Sequence, residues 1–457
     1  MNALRKTGPY RDWYNEGKGG CKLKNTDNGI RFTAFTGEKA MSKDEEMVLN
    51  FQLGITPFKP LDNDHWQQRY FHNSEVKRAY GTAKVINIHH ANEYNPYINY
   101  PFLTPDIMKE MVKENAEHGI KTKLYYTVRE LTVFLPELWA LRSLGDEIFT
   151  NYAITMGTAH MPEDKSKGDL GHAWLHEHLR TRFNSKWHSY IPKDIHDGWD
   201  FSIQTQALSR WLNYYTEGLG WLTKHIGIKG IYLDGIAYDR EIMKRLRKTM
   251  DRNAEGCLMD LHAGNPYHKL KSNPALKYME LLPCVNSLWF GEGIDYSKTK
   301  PDYWLVEISG IPFGMYSEML TQNSPSHKGM VYGMTNRFRA SEKTAPLGIW
   351  KLWDEFGMED VEFIGYWDEH NPVQTNNDQV KASVMAKEDK ILVAIGNWSE
   401  WDVIVKLDID WKKLKLDKND VTIYAPEIER VQEAKRINTE NIKLEASKGI
   451  LLVISKK

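Results

Sequence analysis

Apolar and polar positions change rhythm twice along the chain. Up to about residue 60 they alternate in short runs bordered by Gly and Pro, as in GIRFTAFTG (29–37) and MVLNFQLGITPFKP (47–60), which predicts strands and turns. From about residue 80 short apolar runs alternate with longer amphipathic ones. KVINIHHA (84–91) reads as a strand, TPDIMKEMVKENAEHG (104–119) as a helix, and IKTKLYYTVRE (120–130) as a second strand. In that helix Thr104 stands where an N-cap belongs, Pro105 occupies the first turn and Gly119 marks the end. Helical spacing of Ala207, Trp211, Tyr214 and Leu219 follows within 201–226, before the buried strand KGIYLDG (229–235). Next come a basic helix (238–253), the strand GCLMDLHAG (256–264), a helix near 272–282 and the strand NSLWFGEG (286–293). APLGIWKLWDEFG (345–357) predicts one more helix, leading into VEFIGYWDEH (361–370). The last rhythm, from about 377 to 457, is one of short β-rich runs at regular spacing: KILVAIGNWS, DVIVKLDI, VTIYA, NIKLEA and GILLVIS.

Repeated strand-then-helix units over some 300 residues predict an α/β fold, a closed (β/α)8 TIM barrel, because strand after strand ends in polar groups that a barrel would gather on one face. His89 and His90, Arg129 and Glu130, Asp234, Asp260 and His262, Glu292 and Asp368 all follow apolar runs. An open doubly wound sheet would want a phosphate-cradling glycine turn after its first strand, and none is present. The expected organisation is an N-terminal β-sandwich segment (1–78) packed on the barrel, the barrel itself (79–376) with a long insertion near 135–200, and a C-terminal antiparallel β-sandwich (377–457).

Charge and composition then narrow the partners. Lys plus Arg (60) nearly cancels Asp plus Glu (61), so no overall field draws the chain to nucleic acid or to an anionic membrane, and no run approaches a membrane span. The 16 Trp and 23 Tyr suit the apolar faces of sugars, or simply a well-packed core. Cys21, Cys257 and Cys284 have neither disulfide nor zinc spacing. His172 and His176 in GHAWLHEH are four apart, but Glu177 follows the second histidine rather than the first, so no metal or other cofactor is assigned. The opening residues lack the apolar core of a secretory signal, which leaves a cytoplasmic protein or an exported one whose leader precedes the given chain. Oligomeric state cannot be read from these patterns.

Two carboxylates facing one cavity are the minimum for glycoside cleavage: one protonates the leaving oxygen, and the other attacks the anomeric carbon or activates water. Trp289 and Phe290 beside Glu292 would raise its pKa by burial, which suits the acid/base. Tyr232, Tyr238 and Arg240 near Asp234 would keep it ionised, which suits the nucleophile. A carbohydrate substrate would then be held by Asp260, His262, Tyr232, Arg129, Glu130, His90, Trp187, His188, Trp289 and Asp368. Two other readings stand beside this one. The many His and Tyr residues would also supply the base of a polysaccharide lyase, and the aromatics would serve a carbohydrate-binding protein without catalysis.

The stretches FQLGITPFKP (51–60), SRWLNYYTEGLGWLTKHIGIKGIYLDGIAYDR (209–240), CLMDLHAGN (257–265) and NSLWFGEGIDY (286–296) together resemble bacterial glycoside-hydrolase-like proteins related to glycoside hydrolase family 123. The resemblance covers most of the chain and implies a β-sandwich piece, a TIM barrel and a C-terminal β-domain, in an exported protein. It also implies an exo-acting N-acetyl-β-galactosaminidase that uses the substrate's acetamido group as nucleophile with an adjacent Asp-Glu pair. Here Gly235, not Glu, follows Asp234. Nucleophile after the fourth strand and acid/base after the sixth is similar instead to α-galactosidase-like retaining barrels.

Overall fold

The strands of the barrel are short because only the buried centre of each apolar run keeps extended geometry. A computed structural model describes residues 15–44, 47, 54–144, 147–149, 185–234, 239–262, 279–290, 296, 299–319, 326–338 and 346–457. Its central sheet contains β1 (Tyr70–Phe71), β2 (Val85–Ile88), β3 (Lys121–Tyr125), β4 (Gly230–Asp234), β5 (Leu258–His262), β6 (Ser287–Phe290), β7 (Glu318–Met319) and β8 (Thr335–Asn336), each parallel to the next. Phe338, just past β8, closes the ring. Its N–H donates to the Tyr70 carbonyl at 2.7 Å, and its own carbonyl accepts from the His72 N–H at 2.9 Å. Eight parallel strands closed on themselves form the expected barrel.

Closure sorts side chains by the two-residue period of a strand. On β4, Ile231 and Leu233 are fully buried toward the helical layer, while Tyr232 joins Tyr70, Val85, Tyr125, Leu258 and Trp289 in the barrel's interior cluster. Asp234 lies on the same inward row as Tyr232, two residues further on. Around this ring, α1 (Pro105–Glu117) buries Met108, Met111, Val112 and Asn115, and α3 (Arg240–Asn253), which follows β4, buries Ile242, Met243, Leu246 and Met250. Asp239 caps α3, its carboxylate accepting from the Glu241 N–H at 2.8 Å. Between them α2 (Trp211–Trp221) precedes β4, and α4 (Leu347–Phe356) follows the last barrel strand. No helix among the described residues is long and apolar enough to cross a membrane.

Several expectations change in detail. Thr104 sits at the N-cap position, but its hydroxyl donates to the Tyr94 carbonyl at 3.0 Å instead of capping α1. The barrel begins at Tyr70, before residue 79, because a two-residue strand carries no alternation to detect. Among the described residues the insertion holds a three-stranded antiparallel sheet of Glu130–Thr132, Gly198–Gln204 and Ser185–Ile191 and a short helix at Leu138–Arg142, and the helix read from Ala207 onward starts only at Trp211. The helix near 272–282 falls largely outside the described residues. In the N-terminal unit (1–55), Gly20–Thr26 and Gly29–Phe35 form an antiparallel hairpin.

Beyond α4, Glu362–Ile364 pairs antiparallel with Val380–Ala386, so VEFIGYWDEH belongs to the C-terminal domain and not to the barrel. That domain is a six-stranded antiparallel sheet faced by two ribbons, Val373–Thr375 with Leu407–Ile409 and Val403–Val405 with Ile442–Leu444. Val384, Val393 and Leu452 from the sheet share one core with Val405, Leu407 and Leu444 from the ribbons, which makes it the expected sandwich. Trp398 packs edge-on against Trp304 at 5.9 Å and Tyr332 at 6.1 Å, and Trp289, Trp304, Trp350 and Trp353 are fully buried. Much of the tryptophan surplus is therefore core.

Gly230 opens β4 at φ +145°, and a Cβ there would overlap the Leu258 carbonyl of the neighbouring strand. Gly230→Ala is expected to destabilise the protein by about 2 kcal/mol or more, from backbone strain plus the displaced carbonyl. Denaturant unfolding followed by tryptophan fluorescence checks this, and an unchanged midpoint would contradict it.

Candidate active site

The inward rows of β3 to β6 end in a dense polar layer. Parallel register sets Asp234 beside His262 and His262 beside Trp289, so side chains from β4, β5 and β6 meet at one level. His262 Nδ1 lies 2.8 Å from Asp234 Oδ1, and Tyr125 Oη donates toward Asp234 Oδ2 at 3.3 Å. Arg129 Nη2 is 3.8 Å from the same oxygen. Glu130, fully buried, holds that arginine from behind: its Oε1 is 3.2 Å from Arg129 Nη2 and 3.3 Å from Tyr125 Oη.

These contacts decide the charge state of Asp234. Burial by itself would raise its pKa, but the hydrogen bond and charge of His262, with Arg129 and His89, outweigh burial and hold the carboxyl well below its usual range. Its side chain keeps 26% of its surface open. Tyr125 is affected the opposite way. Burial, then Asp234 and Glu130, push the phenol well above its ordinary value, so it stays a donor.

A second layer lies beneath. Lys123 on β3 is fully buried, paired with Asp260 on β5, and its ammonium lies 4.5 Å from the Tyr70 ring and 5.0 Å from the Trp289 ring. Asp260 Oδ1 accepts from Ser287 Oγ at 2.9 Å, and that oxygen accepts from Trp289 Nε1 at 3.0 Å. Burial pushes Lys123 well below its usual value with Glu318 opposing, and pushes Glu318 well above with Lys123 opposing. The second layer is a buried polar plug whose burial disfavours charge on Lys123 and Glu318, and it supports Trp289 and the groups above it.

Above these layers is a cavity of about 320 Å³ lined by His72, Asn73, Ser74, His89, His90, Ala91, Asn92, Tyr232, Asp234, His262 and Arg337. Burial, with His89 adding to it and Asp234 opposing, keeps the His90 pKa well below its ordinary value, so a neutral imidazole faces the cavity. An ionised carboxylate at the rim of such a cavity is a nucleophile, a base or an electrostatic anchor for a developing cation, but not a proton donor at neutral pH.

Of the residues expected at the site, Asp234, His262, Tyr232 and His90 line the cavity. Arg129 touches Asp234 from the side, and Glu130 positions Arg129 and Tyr125 without lining the cavity. Asp260 is a layer lower, neutralised by Lys123, and Trp289 is fully buried beneath the rings of Tyr232 and His72. Asp368 is not at the rim. It lies in an exposed turn of the C-terminal domain, its carboxylate accepting from the His370 N–H, because the strand before it joins the other sheet. Trp187 and His188 are on the Ser185–Ile191 strand of the insertion. Glu292, three residues past Trp289, lies outside the described residues, as do His172 and His176.

Sequence reasoning missed His72, Tyr125, Lys123 and Arg337. His72 follows a strand of two residues and Arg337 follows another, both too short to show a period, whereas the alternation in KTKLY could have placed Lys123 and Tyr125 on one inward row.

Comparison with known proteins agrees with the barrel fold. The chain matches the glycoside hydrolase 123 TIM-barrel domain over residues 62–339, the C-terminal domain of the same family over 345–455 and its third domain over 3–57. None of the curated proteins compared is similar enough in sequence to match. Among solved structures, the noncanonic maltogenic alpha-amylase AmyB from Thermotoga neapolitana is similar in fold, with 9% identity and a TM-score of 0.50 over 86% of this chain and 99% of that one. The maltogenic amylase from S. marinus gives 11% identity and a TM-score of 0.49 over 95% of this chain and 71% of that one.

Removing the His262 imidazole leaves the burial of Asp234 less opposed, so in His262→Ala the carboxyl is expected to titrate at higher pH than in the native protein. The sign for stability follows. With its folded pKa below the unfolded value of about 3.9, Asp234 stabilises the native fold in full above the unfolded value, and that contribution is lost progressively as pH falls from there through the folded pKa. Carboxyl titration by NMR checks the shift, and an Asp234 resonance titrating at the same pH in both proteins would contradict it.

Proposed function

The chain belongs to glycoside hydrolase family 123, and from that membership together with the site we propose a retaining glycosidase acting on a polysaccharide or its oligosaccharides, with Asp234 as nucleophile and Glu292 as acid/base. The observation that carries this reading is the carboxylate of Asp234, held ionised at the end of the fourth barrel strand and open to a polar cavity. Glycine at 235 means that the proton donor is not the next residue. In the sequence Glu292 comes two residues after the sixth strand, Ser287–Phe290, which runs parallel to its neighbours in the same sheet as the strand that ends in Asp234.

The two half-reactions balance as follows. Asp234 attacks the anomeric carbon to form a glycosyl ester while the bond to the leaving oxygen breaks and Glu292 delivers its proton there. Water then attacks the same carbon, giving its proton to Glu292, and the ester bond to Asp234 breaks. The neighbours of Asp234 suit both steps. His262 and Arg129 keep the nucleophile charged, and Tyr125 donates to the oxygen that would bear negative charge when the ester leaves.

The test is a panel of aryl glycosides and oligosaccharides with the anomer of the first product read by NMR. Retained configuration is expected, with Asp234→Asn losing at least ~10³-fold in activity and Glu292→Gln losing roughly 10²–10⁴-fold on substrates with poor leaving groups. Azide should restore turnover in the appropriate variant by trapping the glycosyl group. Inverted product, a new carbon–carbon double bond, or full activity in Asp234→Asn would overturn the reading.

A further inference from the structure

Tyr125 stands between two carboxyl groups with one proton to give. Its Oη lies 3.3 Å from Asp234 Oδ2 and 3.3 Å from Glu130 Oε1, and an ionised carboxyl group only accepts. Arg129 does not relieve the competition. It hydrogen-bonds the phenol oxygen, and a guanidinium only donates. The O–H of Tyr125 therefore serves one acid in full only by leaving the other.

The two acids differ in what they face. Asp234 ends β4, keeps 26% of its side-chain surface open and lines the cavity. Glu130 is fully buried, with its Oε1 3.2 Å from Arg129 Nη2. Its backbone is held from two directions: the Asn99 side-chain amide donates to its carbonyl at 3.0 Å, and the Glu130–Thr132 strand pairs with Gly198–Gln204. The Tyr125 ring is fixed as well, fully buried with the rings of His89 and His90 at 4.3 and 4.9 Å. With the ring and both acids held, the hydroxyl is the part that can turn.

We propose that Glu130 is a positioning residue for Asp234, and that the Tyr125 hydroxyl turns from Asp234 to Glu130 when Asp234 loses its charge, as it does on forming a glycosyl ester, and turns back when the charge returns. The ester step rests on the reading of Asp234 as nucleophile. The proton stays on the phenol throughout, and only its hydrogen bond changes partner. A hydrogen bond to an ionised acceptor is roughly twice as strong as one to a neutral acceptor, so the Glu130 carboxylate draws the hydroxyl away from an uncharged Asp234. Without Glu130 the buried hydroxyl would keep only the weaker partner, which burial makes costly. Held this way, the donor is at hand each time negative charge develops on Asp234.

The test reads the carboxyl carbon of Glu130 by NMR in the full chain grown with isotope-labelled glutamate, the resonance being assigned by its loss in Glu130→Asp. Asp234→Asn removes the charge without any substrate. The Glu130 resonance is expected to move on that substitution, and to move by less than half as much when both proteins also carry Tyr125→Phe, because the phenyl ring transmits the change of field but has no proton to hand over. Equal displacements with tyrosine and phenylalanine at 125, or none with tyrosine, overturn the proposal. A second measurement needs no substitution. A 2-fluoro aryl glycoside of a sugar that the protein cleaves should trap the ester on Asp234, and the Glu130 resonance of the native protein should then move in the same direction as in Asp234→Asn. A trapped ester that leaves it in place overturns the proposal whether or not the variants fold. If no glycoside is cleaved, the catalytic reading has failed, and the comparison of Asp234→Asn with and without Tyr125→Phe decides the hydroxyl switch by itself.

Discussion

Closure of the eight parallel strands is the constraint on which the rest depends. Two backbone hydrogen bonds between Phe338 and the β1 edge join the last strand to the first, and with no free edge every second side chain must enter the interior. On β4 this sends Tyr232 and Asp234 inward. On β3 it sends Lys123 and Tyr125, and on β5 Asp260 and His262. The polar character of these rows is thus imposed on a space that excludes water, and each charge there needs an answer.

The answers differ by level, and that difference separates structure from chemistry. Lower in the barrel, Lys123 pairs with Asp260, which accepts from Ser287, and Ser287 from the Trp289 indole, none of them lining the cavity. At the mouth, Asp234 is held ionised by His262 and Arg129 yet keeps part of its surface open, so its charge is available to a substrate. The same physical rule, that burial is tolerated only with a partner, produces a closed plug below and an ionised, partly open carboxylate above. Membership of glycoside hydrolase family 123 gives that carboxylate a chemical setting.

Much of this order could be seen in the linear chain where runs were long enough. KGIYLDG announced a buried strand ending in an acid, and in the closed barrel that strand is the fourth and NSLWFGEG gives the sixth. The basic helix after β4 and the five late β-runs followed from period alone. The failures have equally local causes. β1, β7 and β8 are two residues long, so His72 and Arg337 gave no periodic signal. Asp368 followed an apolar run like the others, but pairing of Glu362–Ile364 with Val380–Ala386 placed it in another domain.

By itself the sequence determined the barrel class, the C-terminal sandwich and the strand-end position of Asp234, because these depend on periodicity, turn residues and burial along single segments. Only the tertiary structure decided which carboxylates are open and which are neutralised. Asp260 and Asp234 look alike in sequence, each at the end of an apolar run, yet one faces Lys123 and the other His262 beside a cavity. That distinction arises from register between neighbouring strands and from closure across the ring, which bring together residues more than a hundred positions apart.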